Sequence, residues 1–201
     1  MINFGKIKKT YNGQVVLDID NFFIEENKIY VITGSNGSGK STLAKIIANL
    51  IPDDNNIVKS LNLEDKYLIG YLAQKPYVFD MSLEKNILIN NNDKNKCESL
   101  IKKFSLEHLK GKSAKKFSGG EQQKMSLARF MMKDYDIVIF DEPTSAMDEI
   151  SKKNAVDIIE EYTKNKTMIM ITHDLGCVEH IADYIIKMDD GKIYDRISRS
   201  R

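Results

Sequence analysis

Cysteine is scarce in this chain. There are two in 201 residues, Cys97 and Cys177, isolated and matching no metal or redox spacing. The expectation is free thiols in a reducing cytoplasm, not a disulfide framework. Net charge is scarce as well: 30 Lys and Arg oppose 29 Asp and Glu, a formal +1. That balance supplies no basic field for nucleic acid or an anionic membrane surface, so no nucleic-acid partner is expected. No apolar run approaches the ~18–20 residues needed to cross a bilayer. The start, Met1-Ile2-Asn3-Phe4-Gly5-Lys6, has no basic region followed by an apolar core, so no secretion signal is expected. No internal repeat and no interdomain linker stand out. The apolar fraction is ordinary at 42%, and the length suits one domain, 1–201, with one substantial core.

What is present is a phosphate-binding loop. Gly34, Ser35, Asn36, Gly37, Ser38, Gly39, Lys40 and Ser41 spell G-x-x-x-x-G-K-S. Glycines let the backbone wind tightly and turn N–H groups inward around a polyphosphate. Lys40 at this spacing reaches the β- and γ-phosphates, and the Ser41 hydroxyl takes a place on Mg²⁺. Lys28–Thr33 reads as a buried strand before the loop. Ser41–Ala48 reads as a helix whose N-terminus points at the anion.

The rest of the pattern is β-rich first and α/β afterwards. Phe4–Tyr11 and Val15–Ile24 read as strands joined at Asn12-Gly13, a hairpin signal. Pro52–Asn56 is a turn, and Tyr67–Leu72 a short strand. Ser82 to about Leu109 is helical, broken by the polar run Asn90–Lys96, read as a solvated loop. A helix over Gly119–Met132, a strand over Asp136–Phe140, a helix over Ile150–Tyr162 and a strand over Thr167–Ile171 follow. A short helix near Val178–Ala182 and a hairpin through Asp190-Gly191 close the chain. Such alternation predicts a mostly parallel sheet with helices on both faces.

Two further motifs carry chemistry. Ile137-Val138-Ile139-Phe140 is a strand buried on both faces, and Asp141 and Glu142 follow at its C-terminal end, where ligands bind in such sheets. Asp141 is placed to hold Mg²⁺ and Glu142 to deprotonate an attacking water. The alternative is an acidic turn, since Asp-Glu-Pro is good loop chemistry. Phe117-Ser118-Gly119-Gly120-Glu121 opens a helix. Ser118 and Glu121 suit a capping box. The paired glycines cost helix stability and leave N–H groups bare at a positive helix end, which suggests a second phosphate contact.

In this order the motifs resemble the ATP-binding cassette family, specifically the nucleotide-binding subunit of a transporter, over nearly the whole chain. Gly34–Ser41 matches the Walker A loop, and Ile137–Glu142 matches Walker B with the catalytic glutamate. Phe117–Glu121 resembles the L-S-G-G-Q signature, with Phe for Leu and Glu for Gln. Ser145-Ala146-Met147-Asp148 resembles the S-A-L-D loop. Gln74 matches the glutamine-loop residue, and His173 the switch histidine. Tyr11 sits where the family places an aromatic on adenine. Its π-face suits that role; the alternative is an ordinary strand-end Tyr packed on the sheet. His108 and His180 lie in helical stretches without an assigned role.

The resemblance implies an α/β P-loop NTPase, RecA-like. It would have a mostly parallel sheet, an N-terminal antiparallel β-subdomain (about 1–27) and a short inserted helical subdomain (75–118). It implies ATP and Mg²⁺ as cofactors. Lys40, Glu142 and His173 would serve catalysis, and Ser41, Gln74 and Asp141 the metal. The nucleotide would meet Tyr11, the loop from Gly34 through Ser41, Thr42 and Gln74. Ser118, Gly119, Gly120 and Glu121 would act on the ATP of a second chain in a head-to-tail homodimer. Hydrolysis would power transport through a separate transmembrane permease, with the chain peripheral on the cytoplasmic side of the membrane. The runs Gln74–Ser82 and Asp183–Ile193 look exporter-like, so export is the expected direction. Gly111–Lys116 lacks the T-x-V-G-x-x-G element of many exporters with fused membrane domains. The expected docking surface lies beside Gln74, at Pro76, Tyr77, Val78 and Phe79; the competing reading is that Phe79 anchors the helical subdomain to the core. The alternative is a non-transport cassette ATPase on ribosomes or DNA, but such proteins usually carry two cassettes or a long coiled-coil insertion.

Overall fold

A computed structural model describes residues 1–199. Fifteen strands and α-helices follow one another: β1 (Ile2–Tyr11), β2 (Gln14–Ile24), β3 (Ile29–Gly34), α1 (Lys40–Ile47), α2 (Ile57–Ser60), β4 (Ile69–Leu72), α3 (Leu83–Leu88), α4 (Lys94–Lys103), α5 (Gly119–Met131), β5 (Ile137–Asp141), α6 (Glu149–Tyr162), β6 (Thr167–Ile171), α7 (Leu175–Val178), β7 (Tyr184–Asp189) and β8 (Lys192–Ser198). They form two compact units, one of residues 1–71, 135–141 and 163–199, the other of 72–134 and 142–162.

The first unit holds both sheets. β1 and β2 form an antiparallel hairpin closed by the Tyr11–Gln14 pair. Asn12 (φ 49°) and Gly13 (φ 81°) take the two left-handed positions that a type I′ turn needs. The other sheet runs β4-β5-β6-β3-β7-β8. β3 pairs in parallel with β6 and β7, and β5 in parallel with β6, while β8 returns antiparallel to β7. β5 and β6 are buried at every residue. Their unbroken apolar runs are the signature of strands covered on both faces. α1 packs against β2, β3, β5 and β6. One continuous core joins Phe4, Leu17 and Phe22 of the hairpin to Leu43 and Ile46 of α1 and Ile139 and Ile169 of the sheet. Each such side chain contributes about 1.5–3 kcal/mol.

Two elements depart from the sequence reading. The short helix is α7, Leu175–Val178, not Val178–Ala182. The spacing of Val178, Ile181 and Ala182 mimics a helix face, but Ile181 and Ala182 are buried in hydrogen-bonded turns after it. α2 was not expected. It exists because the Asp53 carboxylate, only 2% exposed, accepts from the N–H groups of Asn55, Ile57 and Val58.

The second unit is helical. Ser82 caps α3 and Asp93 caps α4, so the polar run Asn90–Lys96 supplies a loop and also the first residues of a helix. α5 packs on α3 and α4. Asn86, fully buried, donates to the carbonyls of Phe79, Met81 and Ser82 and accepts from Phe79 N–H. Arg129 donates to the Tyr77 carbonyl at 2.7 Å and lies over the Phe79 ring. These bonds fix the segment that follows Gln74.

Candidate nucleotide site

The loop between β3 and α1 is forced into shape by its surroundings. A Cβ on Gly34 (φ +152°) would stand 1.9 Å from the Met188 carbonyl oxygen. A Cβ on Gly39 (φ +93°) would stand 2.5 Å from Leu17 Cδ2 and 2.9 Å from the Val16 carbonyl oxygen. No other residue type fits either position. Gly39 is also the N-cap of α1, and it has no side chain to satisfy the first-turn N–H groups, which leaves them for an anion. Lys40 is buried, and its ammonium donates to the Gly34 carbonyl (3.0 Å), the Ser35 carbonyl (2.7 Å) and Ser38 Oγ (3.3 Å). Asn36 and Gly37 are exposed at the loop's tip, and Thr42 is half-buried in the first turn of α1.

Two residues that sequence reasoning missed brace this loop. Ser35 Oγ donates to Asp189 Oδ1 at 2.6 Å, and Gly191 N–H donates to the Ser38 carbonyl at 3.3 Å. Asp190-Gly191 was legible as a turn. That the turn lies beside a loop about 150 residues earlier depends on β7 pairing with β3.

At the end of β5, Asp141 is 3% exposed. Its Oδ1 accepts from Ser41 Oγ at 3.1 Å and its Oδ2 from the Tyr71 hydroxyl at 2.9 Å. Burial, and then the Asp141 charge, push the Tyr71 phenol far above its ordinary value, so the phenol stays a donor. Tyr71 is a third missed residue. The hydroxyl and carboxylate of Ser41 and Asp141 are the hard oxygen donors that Mg²⁺ takes, so the pair fits that ion. His173 is exposed just beyond β6, and Tyr11 is exposed at the end of β1, with Lys9 Nζ 5.2 Å from its ring centroid.

In the second unit Glu142 is buried with φ 51°, a left-handed conformation rare for a non-glycine residue. The buried side chain of Gln123 holds this turn. Its Nε2 donates to the Glu142 carbonyl (3.0 Å) and Ser145 Oγ (3.1 Å), and its Oε1 accepts from Ala146 N–H (2.9 Å). Gln123 is the fourth missed residue; as a helix-interior amide it carries no local signal. Ser118 and Glu121 form the full capping box of α5. One carboxylate oxygen of Glu121 accepts from Ser118 N–H (2.7 Å) and Oγ (2.8 Å), and the other lies 3.2 Å from His108 Nε2. These contacts, the Ser118 N–H foremost, hold the Glu121 carboxyl below its ordinary range. A cleft lined by Ser118, Gly119, Gly120, Lys124, Met147 and Asp148 opens there. Gln74 is exposed in the bend after β4.

Residues 17–145 match the ABC transporter family. The chain belongs to that family. Among ABC transporter relatives it is 31% identical, over 96% of both chains, to the tungstate uptake system ATP-binding protein TupC of Peptoclostridium acidaminophilum. It is 33% identical to the glutathione/L-cysteine transport system ATP-binding/permease protein CydD of Bacillus subtilis, covering 90% of this chain and 35% of that one. Against several relatives the chain spans less than half of their length. The fold is that of the ABC cassettes. A dimeric ATP-binding cassette in a post-hydrolysis state, bound to ADP and Pi, superposes with a TM-score of 0.85 over 100% of both chains at 23% identity.

Proposed function

We propose that the chain binds and hydrolyses ATP and thereby powers transport through a separate membrane-spanning protein. The observation that carries this reading is the Ser41–Asp141 bond. The hydroxyl that opens α1 and the carboxylate that ends β5 meet at 3.1 Å, at the end of a loop shaped to hold an anion. In this reading the N–H groups from Gly34 to Thr42 bind the phosphates. Lys40 exchanges its three loop oxygens for β- and γ-phosphate oxygens. Ser41, Asp141 and Gln74 hold Mg²⁺, which when bound neutralises charge on the phosphate oxygens. Tyr11 stacks on adenine. Glu142 takes the proton of the attacking water, its backbone fixed by Gln123. His173 hydrogen-bonds the γ-phosphate.

A dimeric cassette of the same fold supports a dimer; in the head-to-tail homodimer of this reading, Ser118, Gly119, Gly120 and Glu121 of one copy meet the ATP of the other. Among the described residues no helix is long and apolar enough to cross a membrane. Relatives that unite ATP-binding and permease parts, such as CydD, support docking on a permease; in this reading the chain lies at the cytoplasmic face. Relatives named for uptake and for secretion match about equally, at 31% and 32% identity. These names favour neither direction of transport for this chain. The test is titration calorimetry with MgATP together with phosphate release. Wild type binds and turns over, and Lys40→Ala loses binding. No binding by wild type, or undiminished binding by Lys40→Ala, overturns the reading.

A further inference from the structure

We propose that Tyr71 is a positioning residue for the metal-binding carboxylate: its phenol holds Asp141 Oδ2 and so directs Oδ1 toward Ser41 and the Mg²⁺ position. The inference rests on the reading that Ser41 and Asp141 hold Mg²⁺. A carboxylate has two equivalent oxygens and turns easily about its last bond, so one donor does not choose its plane. Here each oxygen has its own donor, Ser41 Oγ on Oδ1 and Tyr71 OH on Oδ2. The carboxylate is almost wholly buried, where water cannot stand in for a missing donor, and unpaired buried charge is costly.

Tyr71 is itself held in place. Strand β4 lies next to β5 in the sheet. Ile69 and Tyr71 are two residues apart, so they share a face, and both pack against the core cluster. The ring serves packing and the hydroxyl serves Asp141, so the two roles separate on removal of one oxygen. Partners that orient a metal ligand in this way typically control affinity by 10–100-fold.

The experiment compares Tyr71→Phe, Tyr71→Leu and Asp141→Asn with wild type. Titration calorimetry with a non-hydrolysable ATP analogue, with Mg²⁺ and then with EDTA, gives the gain in affinity due to the metal. The Mg²⁺ concentration for half-maximal turnover is read in parallel, with melting temperature as the control for packing. Both Tyr71 variants should lose about tenfold of the Mg²⁺ gain and need correspondingly more Mg²⁺, while Tyr71→Phe, which keeps the ring and loses only the bond to Asp141, lowers the melting temperature less than Tyr71→Leu. Analogue affinity in EDTA should not move. An unchanged gain in both variants, with the gain lost in Asp141→Asn, overturns the role of Tyr71 alone. A gain that survives in Asp141→Asn overturns the metal reading beneath it as well.

Discussion

The Tyr11 ring presents an exposed face to solvent while Lys9 lies over it. A base stacked there has an aromatic platform and a nearby cation. Tyr11→Ala is expected to weaken ATP binding by about 1–3 kcal/mol, the range for one base–aromatic stack. Turnover at saturating ATP should hold, because stacking serves ground and transition states alike. Unchanged affinity by calorimetry would return Tyr11 to an ordinary strand-end role. Glu121 makes a pH-dependent prediction. Its folded pKa lies below the ordinary 4.5, so its contribution is full above that value and fades as pH falls through the folded one. Glu121→Ala should cost about 1 kcal/mol near pH 7, as for a lost cap. The gap to wild type should close in acid. Urea unfolding across pH checks this, and a gap independent of pH contradicts it.

At the scale of elements, Phe79 and Tyr77 were expected on a docking surface, with a core anchor as the other reading for Phe79. The two touching rings differ in exposure. Phe79 is half-buried, its ring 4.6 Å from that of Tyr77 and beneath Arg129, with its backbone bonded to Asn86. Tyr77 is 68% exposed. Phe79→Ala should therefore lower stability by about 1–3 kcal/mol, less than a full core truncation. Tyr77→Ala should leave the melting temperature unchanged and weaken assembly with the membrane partner. Denaturation beside co-purification distinguishes them, and a neutral Phe79→Ala would contradict the assignment. Elements differ in how legible they were. β5 and β6 stood out because a strand buried on both faces must be apolar throughout. Both hairpins stood out because Asn, Asp and Gly are the residues that most readily take their left-handed turn angles. Ser41 could be named from the spacing of its loop and Asp141 from the apolar strand it ends. Tyr71, Asp189 and Gln123 could not, because their bonds depend on which strands lie side by side or on what a helix faces. α2 was hidden because a buried carboxylate shapes it, not an apolar period.

At the scale of the whole molecule, the proposed function has one chain supply an ATP site and the signature helix for another copy's site. Hydrolysis then waits on pairing, and pairing persists while ATP is intact. Glu142 stands at the centre of that claim, buried in a left-handed turn and fixed through its carbonyl by Gln123. Glu142→Gln keeps the shape of the side chain and removes its basicity. The decisive measurement is phosphate release by this variant, with its mass in solution recorded with and without MgATP. The account predicts retained ATP binding, turnover reduced by roughly 10²–10⁴-fold, and accumulation of an ATP-dependent dimer. Near-normal hydrolysis, or a variant that binds ATP and stays monomeric, would contradict it.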